Sequence, residues 1–233
     1  MSAVAPIASF HLIRDHDVFS NLTRLGRDRR TLQHTNGLQF WRLMGTGNGR
    51  NTGPSVDLRR RAVLAVWDDD MALDQFLRSS AVATAWRDAE ESWHVRLRLI
   101  SGGGKWRSHE ILRDMTVATD APGPIVTLTR ANVRPKHWRR FARASRATNI
   151  DVAAAAGLLR VVGVGEAPVG KQATVSLWQD EGALKSFAYR TAGHIEVMQR
   201  TRQEGWYSEE LFARFQPYAS TGLWDGEDPL AAR

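Results

Sequence analysis

From Ile7 to Arg14 the chain is mainly apolar and reads as a strand, while the polar stretch 17–34, opened by Asp17, reads as a helix. Gly37 precedes a second strand over 38–44, in which Leu38, Phe40 and Trp41 supply the bulk that strands favour. Gly45–Pro54 is rich in Gly, Asn and Pro and predicts a loop. The apolar run Ala62–Trp67 predicts a third strand, and Asp68, Asp69 and Asp70 then supply a helix cap and an acidic first turn. Leu73, Phe76 and Leu77 follow at helical spacing, and Val82, Ala85 and Trp86 continue or restart the helix. From His94 to Ile100, Val95, Leu97 and Leu99 alternate with Arg96 and Arg98, the pattern of a half-buried strand. The order is βαββαβ.

The second half repeats it: strand 124–131, helix 135–148, strand 158–164, strand 171–178, helices 180–203 and strand 210–216. The residues repeat as well. AVLAVWDDDMALDQF (62–76) matches ATVSLWQDEGALKSF (173–187), pairing Trp67 with Trp178 and Phe76 with Phe187 at an offset of 111. Upstream, Arg42-Leu-Met-Gly-Thr-Gly resembles Arg160-Val-Val-Gly-Val-Gly. Downstream, Glu91-Ser-Trp-His resembles Glu204-Gly-Trp-Tyr at an offset of 113, which implies a short insertion and places His94 at the position of Tyr207. A βαββαβ unit is the ferredoxin-like motif. Two in tandem predict an α+β fold with two four-stranded sheets face to face, a pseudo-dimer of the dimeric α+β barrel type. The expected division is an N-terminal half over 1–106, a linker over 107–123 and a C-terminal half over 124–233.

Composition narrows the chemistry. None of the 233 residues is cysteine, which excludes disulfides, thiolate zinc sites, iron–sulfur clusters, cysteine nucleophiles and cysteine-ligated haem. The net charge of +7 permits anionic partners without requiring them. Nine tryptophans favour a protein with a ligand pocket. The N-terminus has no basic segment before an apolar core, and the longest apolar run, Val152–Leu159, is too short to span a bilayer. The expectation is a cytoplasmic protein, with peripheral membrane contact and homo-oligomerisation left open.

Several motifs resolve to simpler readings. Gly165-Glu-Ala-Pro-Val-Gly-Lys171 approaches a phosphate-binding loop, but Gln172 stands where Ser or Thr is needed and a strand follows instead of a helix. It reads as a β–β connection. Gly45-Thr-Gly-Asn-Gly49 lacks the last glycine of a dinucleotide fingerprint. The basic helix carrying Arg134, Lys136, His137, Arg139, Arg140, Arg143 and Arg146 opposes Trp138, Phe141 and Ala142. A solvated amphipathic face explains it without nucleic acid, and anionic lipid headgroups are the third reading. No histidine–carboxylate spacing suits a multi-ligand metal site, and no GxSxG elbow is present. His194 lies in a helical stretch near Ile195, Val197 and Met198, where a half-buried histidine and an iron ligand are both open readings.

The block Gly163–Pro217, with VGVGEAPVGKQATVSLW, FAYR, His194 and RTRQEGWYSEELFARFQPY, together with RLMGTG, LAVWDDD and ESWHVRL, resembles the spheroidene monooxygenase family over roughly residues 8–229. The resemblance implies a haem protein that uses dioxygen and external electrons, from a donor such as ferredoxin, to oxidise an unactivated carbon of an apolar small molecule. In the namesake activity the substrate is a linear carotenoid, hydroxylated twice at C2 to leave a ketone. It also implies that His194, the histidine after FAY, is the iron ligand, with His94, Tyr189, Tyr207 and Tyr218 as alternatives. Arg190, Arg200 and Arg202 are then candidates to pair with haem propionates, and Phe187, Trp178 and Trp206 become candidate pocket walls. No catalytic residue is assigned. Other readings are an aldoxime dehydratase-like haem enzyme, a cofactor-independent oxygenase of the same barrel type, and a non-catalytic haem or ligand-binding module.

Overall fold

The structure, a computed structural model, describes residues 5–47, 56–118, 122–166, 171–190, 201 and 203–231. The first half contains β1 (Ile7–Arg14), α1 (Val18–Gln33), β2 (Leu38–Gly47), β3 (Val56–Trp67), α2 (Asp70–Ser79), α3 (Ala81–Arg87) and β4 (Glu91–Gly104). The second contains β5 (Ile125–Val133), a 3-10 turn (Pro135–His137), α4 (Trp138–Ala153), β6 (Leu158–Gly165), β7 (Lys171–Trp178), α5 (Glu181–Arg190) and β8 (Tyr207–Gly222). All pairings are antiparallel, and the strands close into a barrel in the order β1-β3-β2-β6-β7-β5-β8-β4. The long seam between β4 and β8 runs from Trp93↔Gly222 to Gly104↔Leu211, whereas β2 meets β6 only at Gly45↔Gly165 and Thr46↔Val164.

Alternation along each strand sends one set of side chains into the barrel and the other outward toward the helices. Phe10, Leu64, Val66, Val95 and Leu97 fill the interior from one side, and Leu128, Val175, Leu177, Ala213 and Phe215 from the other. Trp106 and Trp224, each 1% exposed, follow the ends of β4 and β8 and join the same core. Trp106 lies edge-on to Phe40 at 5.9 Å and Trp224 is tilted on Trp93 at 5.2 Å. Leu112 and Met115, downstream of β4, also pack into this core.

Several strands outrun their sequence signal. β3 begins at Val56 instead of Ala62, and two of its charged residues, Arg60 and Arg61, are buried in ion pairs. Arg60 bonds Asp225 at 2.5 Å, and Arg61 pairs with Asp15 beneath α1. β2 continues through Gly47, into the segment expected to be loop, and β8 extends over Pro217 to Gly222. Each α2-type helix is set against its sheet by one glycine. Gly37 (φ +73°) and Gly157 (φ +77°) both occupy the left-handed region, and a Cβ on either would lie 2.5 Å from the Cβ of Ala72 or Ala183.

The connection between β6 and β7 is a hairpin and Lys171 opens a strand, as the sequence predicts; residues 167–170 lie outside the described residues. The Glu166 carboxylate accepts a bond from Trp106 Nε1 and pairs with Arg107 and Arg42. No helix among the described residues is long and apolar enough to cross a membrane.

Candidate functional site

The outward sheet faces differ sharply between the halves. On the first, Trp67 Nε1 donates to Ser9 Oγ (2.8 Å), Ser9 Oγ bonds His11 Nε2 (2.8 Å), and His11 Nδ1 bonds His94 Nδ1 (2.9 Å). A bond between two ring nitrogens requires one proton between them, so one imidazole donates and the other accepts. Trp86, on α3, lies 4.6 Å from the His11 ring and stacks on His94 at 5.5 Å. Burial pushes His94 down to about 4, and burial with His94 and Arg96 nearby holds His11 well below the usual histidine range. Both rings are therefore neutral at physiological pH. Leu43, Val63, Ala65, Leu73, Phe76, Val82 and Ala83 complete a continuous apolar layer around them.

Strand pairing gives the equivalent positions on the second face. Ala8↔Leu97 and Phe10↔Val95 in the first half match Val126↔Phe215 and Leu128↔Ala213 in the second, an offset of 118. Phe10↔Leu64 matches Leu128↔Val175, so β3 and β7 are offset by 111. Ser9 then corresponds to Thr127, His11 to Thr129, His94 to Phe212, Val63 to Thr174 and Ala65 to Ser176. The offset of 113 read from the sequence is thus replaced at β8. Phe212, not Tyr207, takes the place of His94, and Trp206 is not the counterpart of Trp93. The sequence match failed because a short Trp-aromatic motif recurs by chance five residues ahead of the register-equivalent position, after a stretch between β7 and β8 that is seven residues longer than that between β3 and β4.

This second face is polar and open. Thr127 and Ser176 bond through their hydroxyls (2.6 Å), and Trp178 Nε1 donates to Ser176 Oγ (3.0 Å). Thr129 is exposed, Thr174 is half-buried, and Phe212 is 44% exposed. Thr129 and Thr174 make no side-chain hydrogen bond among the described residues. The buried apolar residues described here are Ile100, Ile125, Trp178 and Leu184, with Ala155, Leu158, Ala183 and Phe187 against them. Among the described residues, no ring is stacked at these positions as Trp86 is on His94.

α5 starts at a capped turn, where the Ala183 amide donates to Asp180 Oδ1 (2.8 Å). Arg214 ties that turn to the sheet, bonding Glu181 Oε1 and Ser101 Oγ, each at 2.8 Å. Arg96 ties α2 to its own sheet in the same manner, through Asp70 (2.6 Å) and Asp74.

The structure brings two predicted wall residues together: the Trp178 and Phe187 rings lie 5.2 Å apart. Trp206 is buried elsewhere, bonded to Glu204 (2.9 Å) and stacked on His137 at 6.1 Å. Arg190 closes α5, and its side chain, like that of Tyr189, lies outside the described residues. His194, Arg200 and Arg202 lie outside them altogether. Of the alternative ligands, His94 is engaged with His11 within a filled layer. Burial pushes the Tyr207 hydroxyl up to about 12. Tyr218 donates to Asp70 at 2.8 Å and lies under Arg98. Among the described residues, no group of three His, Asp or Glu side chains could hold a metal ion. The hydroxyl face was missed in the sequence. The offset of 118 read between Arg42 and Arg160 is also replaced: Trp41↔Ala65 matches Val161↔Ser176, an offset of 120, so Arg160 takes the place of Phe40.

No protein-family model matches the chain. It is 31% identical over 238 residues to "Spheroidene monooxygenase" of Rhodobacter capsulatus, covering 98% of this chain and 97% of that protein. It is 34% identical over 196 residues to the protein of the same name from Cereibacter sphaeroides, covering 82% of this chain and only 60% of the relative's length. Among solved structures, an aldoxime dehydratase in complex with butyraldoxime superposes with a TM-score of 0.59 at 10% identity, over 94% of this chain and 81% of that one. That likeness is one of fold.

Proposed function

The chain belongs to the spheroidene monooxygenase family, and we propose that it is a haem-dependent monooxygenase acting on an apolar, carotenoid-like small molecule. Dioxygen and electrons from an external donor such as ferredoxin complete the reaction. The observation that carries this reading is the match across 97% of the Rhodobacter capsulatus relative. We read the two runs of the strand order, β4-β1-β3-β2 and β8-β5-β7-β6, as tandem ferredoxin-like units divided near 107–123.

The residues present suit a haem between the second sheet and its helices. A flat ring needs accessible surface, and the exposure of Thr129 and of Phe212 (44%) supports the second face for it, whereas Trp86 and the histidine pair fill the first. With no cysteine in the chain, the iron would be held through nitrogen, oxygen or a methionine thioether. At the offset of 111 that pairs Phe76 with Phe187, His194 corresponds to Ala83, which is 1% exposed and belongs to the layer covering the first sheet. That correspondence supports His194 as the ligand. Arg190 and Arg202 follow as propionate partners, because a guanidinium presents a planar fork to a carboxylate. When bound, haem supplies the one-electron redox chemistry that dioxygen activation requires.

The chain's own residues then divide the remaining work. Trp178 and Phe187 give the pocket an apolar wall, and Phe212 offers apolar surface to an elongated hydrocarbon. Thr127 and Ser176 satisfy one another, and Thr129 and Thr174, which make no side-chain hydrogen bond among the described residues, would offer their hydroxyls to substrate or water. The test is incubation of the haem-loaded protein with a linear carotenoid, reduced ferredoxin and isotopically labelled dioxygen. Labelled oxygen in a hydroxylated or ketonic product is the expected result. A haem-loaded protein that incorporates no label into any carotenoid would overturn the substrate assignment.

A further inference from the structure

Helix α1 is turned inside out. Its buried positions are Asn21, Asp28 and Leu32, so two of the three are polar. The cause is Arg61 on β3, which is 0% exposed and requires anionic or polar partners. Asn21 Oδ1 accepts from Arg61 Nη1 (3.1 Å), Asp28 Oδ2 lies 3.7 Å from Arg61 Nε, and Asp15 pairs with both Arg61 and Arg24. Leu25 and Leu32 still pack inward, but with the rest of its inward side committed to this cluster α1 presents the apolar residues of its first turns to solvent. Phe19 is 80% exposed, Leu22 53% and Val18 36%. Asn21 Nδ2 donates to the Leu58 carbonyl (2.8 Å), which brings β3 alongside, where Leu58 is 52% and Val56 51% exposed.

The same helical face turns basic toward its C-terminus. Phe19, Leu22, Gly26 and Arg30 fall at i, i+3, i+7 and i+11, with Arg27 and Arg29 flanking. Arg27, Arg29 and Arg30 are exposed and form no ion pair among the described residues. Arg24, Arg27, Arg30 and Thr31 line a groove of about 730 Å³ that reaches Ala81 and Val82 on α3. The exposed acid on this helix is Asp17, which is tied to Ser20 at the cap (2.8 Å), and Asp28 faces Arg61.

We infer that the outward face of α1 docks the protein on an anionic lipid bilayer, with Phe19 and Leu22 entering the apolar boundary and Arg27, Arg29 and Arg30 meeting headgroup phosphates. An interfacial helix needs apolar bulk and fixed positive charge on one face, and α1 has both. A second copy fits less well, because a two-fold contact through this face would oppose identical arginine clusters. An inward-facing helix of ordinary pattern would have buried Phe19 and Leu22, so their exposure is a consequence of the Arg61 cluster.

The test is flotation of the full-length protein with phosphatidylcholine vesicles, pure or containing one third phosphatidylglycerol. Binding is expected only to the anionic vesicles and is expected to fall with added salt. The triple substitution Arg27→Gln, Arg29→Gln, Arg30→Gln and the double substitution Phe19→Ser, Leu22→Ser should each weaken partitioning by about tenfold or more. Unchanged circular dichroism would verify that both variants fold. Arg139→Gln with Arg140→Gln and Arg143→Gln on α4 should leave partitioning unchanged. The inference is overturned by failure of the wild type to bind, by equal binding to pure phosphatidylcholine, or by loss of binding in the α4 variant alone. It is also overturned if the wild type is a dimer that Phe19→Ser with Leu22→Ser dissociates.

Discussion

On the outer face of the first sheet, His11 and His94 bond to each other beneath Trp86; on the second, the same register positions hold Thr129 and Phe212, the one exposed and the other 44% exposed. The supporting parts are alike. A left-handed glycine seats each helix against an alanine, an arginine ties each helix start to the outer strand, and a buried tryptophan, Trp67 or Trp178, donates to a serine. Conserving the frame while changing the filling lets one half act as a packed scaffold and the other present a polar, accessible sheet face. The difference rests on few side chains, so substitution can test it.

Trp86→Ala should give the largest effect. Removing a 1% exposed ring that touches His11, His94 and Phe76 should cost about 3–5 kcal/mol, measured by urea unfolding. A loss below about 1 kcal/mol would mean that the first layer is not the packed one.

Acid should find the same layer. Because burial holds folded His94 near 4, below its unfolded value of about 6.5, its contribution is complete above pH 6.5 and is lost as pH falls toward 4. Asp28 acts with the opposite sign: burial raises its carboxyl to about 6, so its cost appears as pH rises through 6. The two must be separated by difference. Relative to His94→Gln, the wild type should lose on the order of 2–3 kcal/mol between pH 6.5 and 4. Parallel profiles would show that His94 is not buried neutral.

Gly37→Ala and Gly157→Ala should each cost about 1–3 kcal/mol, because alanine strains the left-handed backbone and meets Ala72 or Ala183. The readouts should differ. Gly37→Ala lowers stability alone, whereas Gly157→Ala also shifts α5 and with it the haem absorbance. At the small end, Thr129→Ala should change stability by less than about 0.5 kcal/mol, since its side chain is exposed and makes no described bond. A large loss there would erase the contrast between the faces.

The element order was legible because its signals are local: the Asp17 and Asp69 caps, the alternation of Val95, Leu97 and Leu99, and the repeated Trp67 and Trp178. The extent of β3 was not, because Arg60 and Arg61 look solvent-facing until Asp225, Asp15 and Asn21 are brought to them by the fold. The same long-range cluster hid the reversal of α1. Register at β8 was misread because a five-residue alignment error carries no visible penalty in sequence, whereas strand pairing fixes every partner. For the site, sequence supplied Trp178 and Phe187, which meet, but not the face of Thr127, Thr129, Thr174 and Ser176, whose residue types are unremarkable until the strands lie side by side.

The most direct measurement is a haem titration followed by absorbance, run in parallel on the wild type, His194→Ala and His94→Ala. If the second layer holds the cofactor, the wild type and His94→Ala should saturate at one haem per chain with the same Soret band. His194→Ala should lose that band or shift it. An unchanged band in His194→Ala, or its loss in His94→Ala with the fold intact, would contradict the assignment of the two layers.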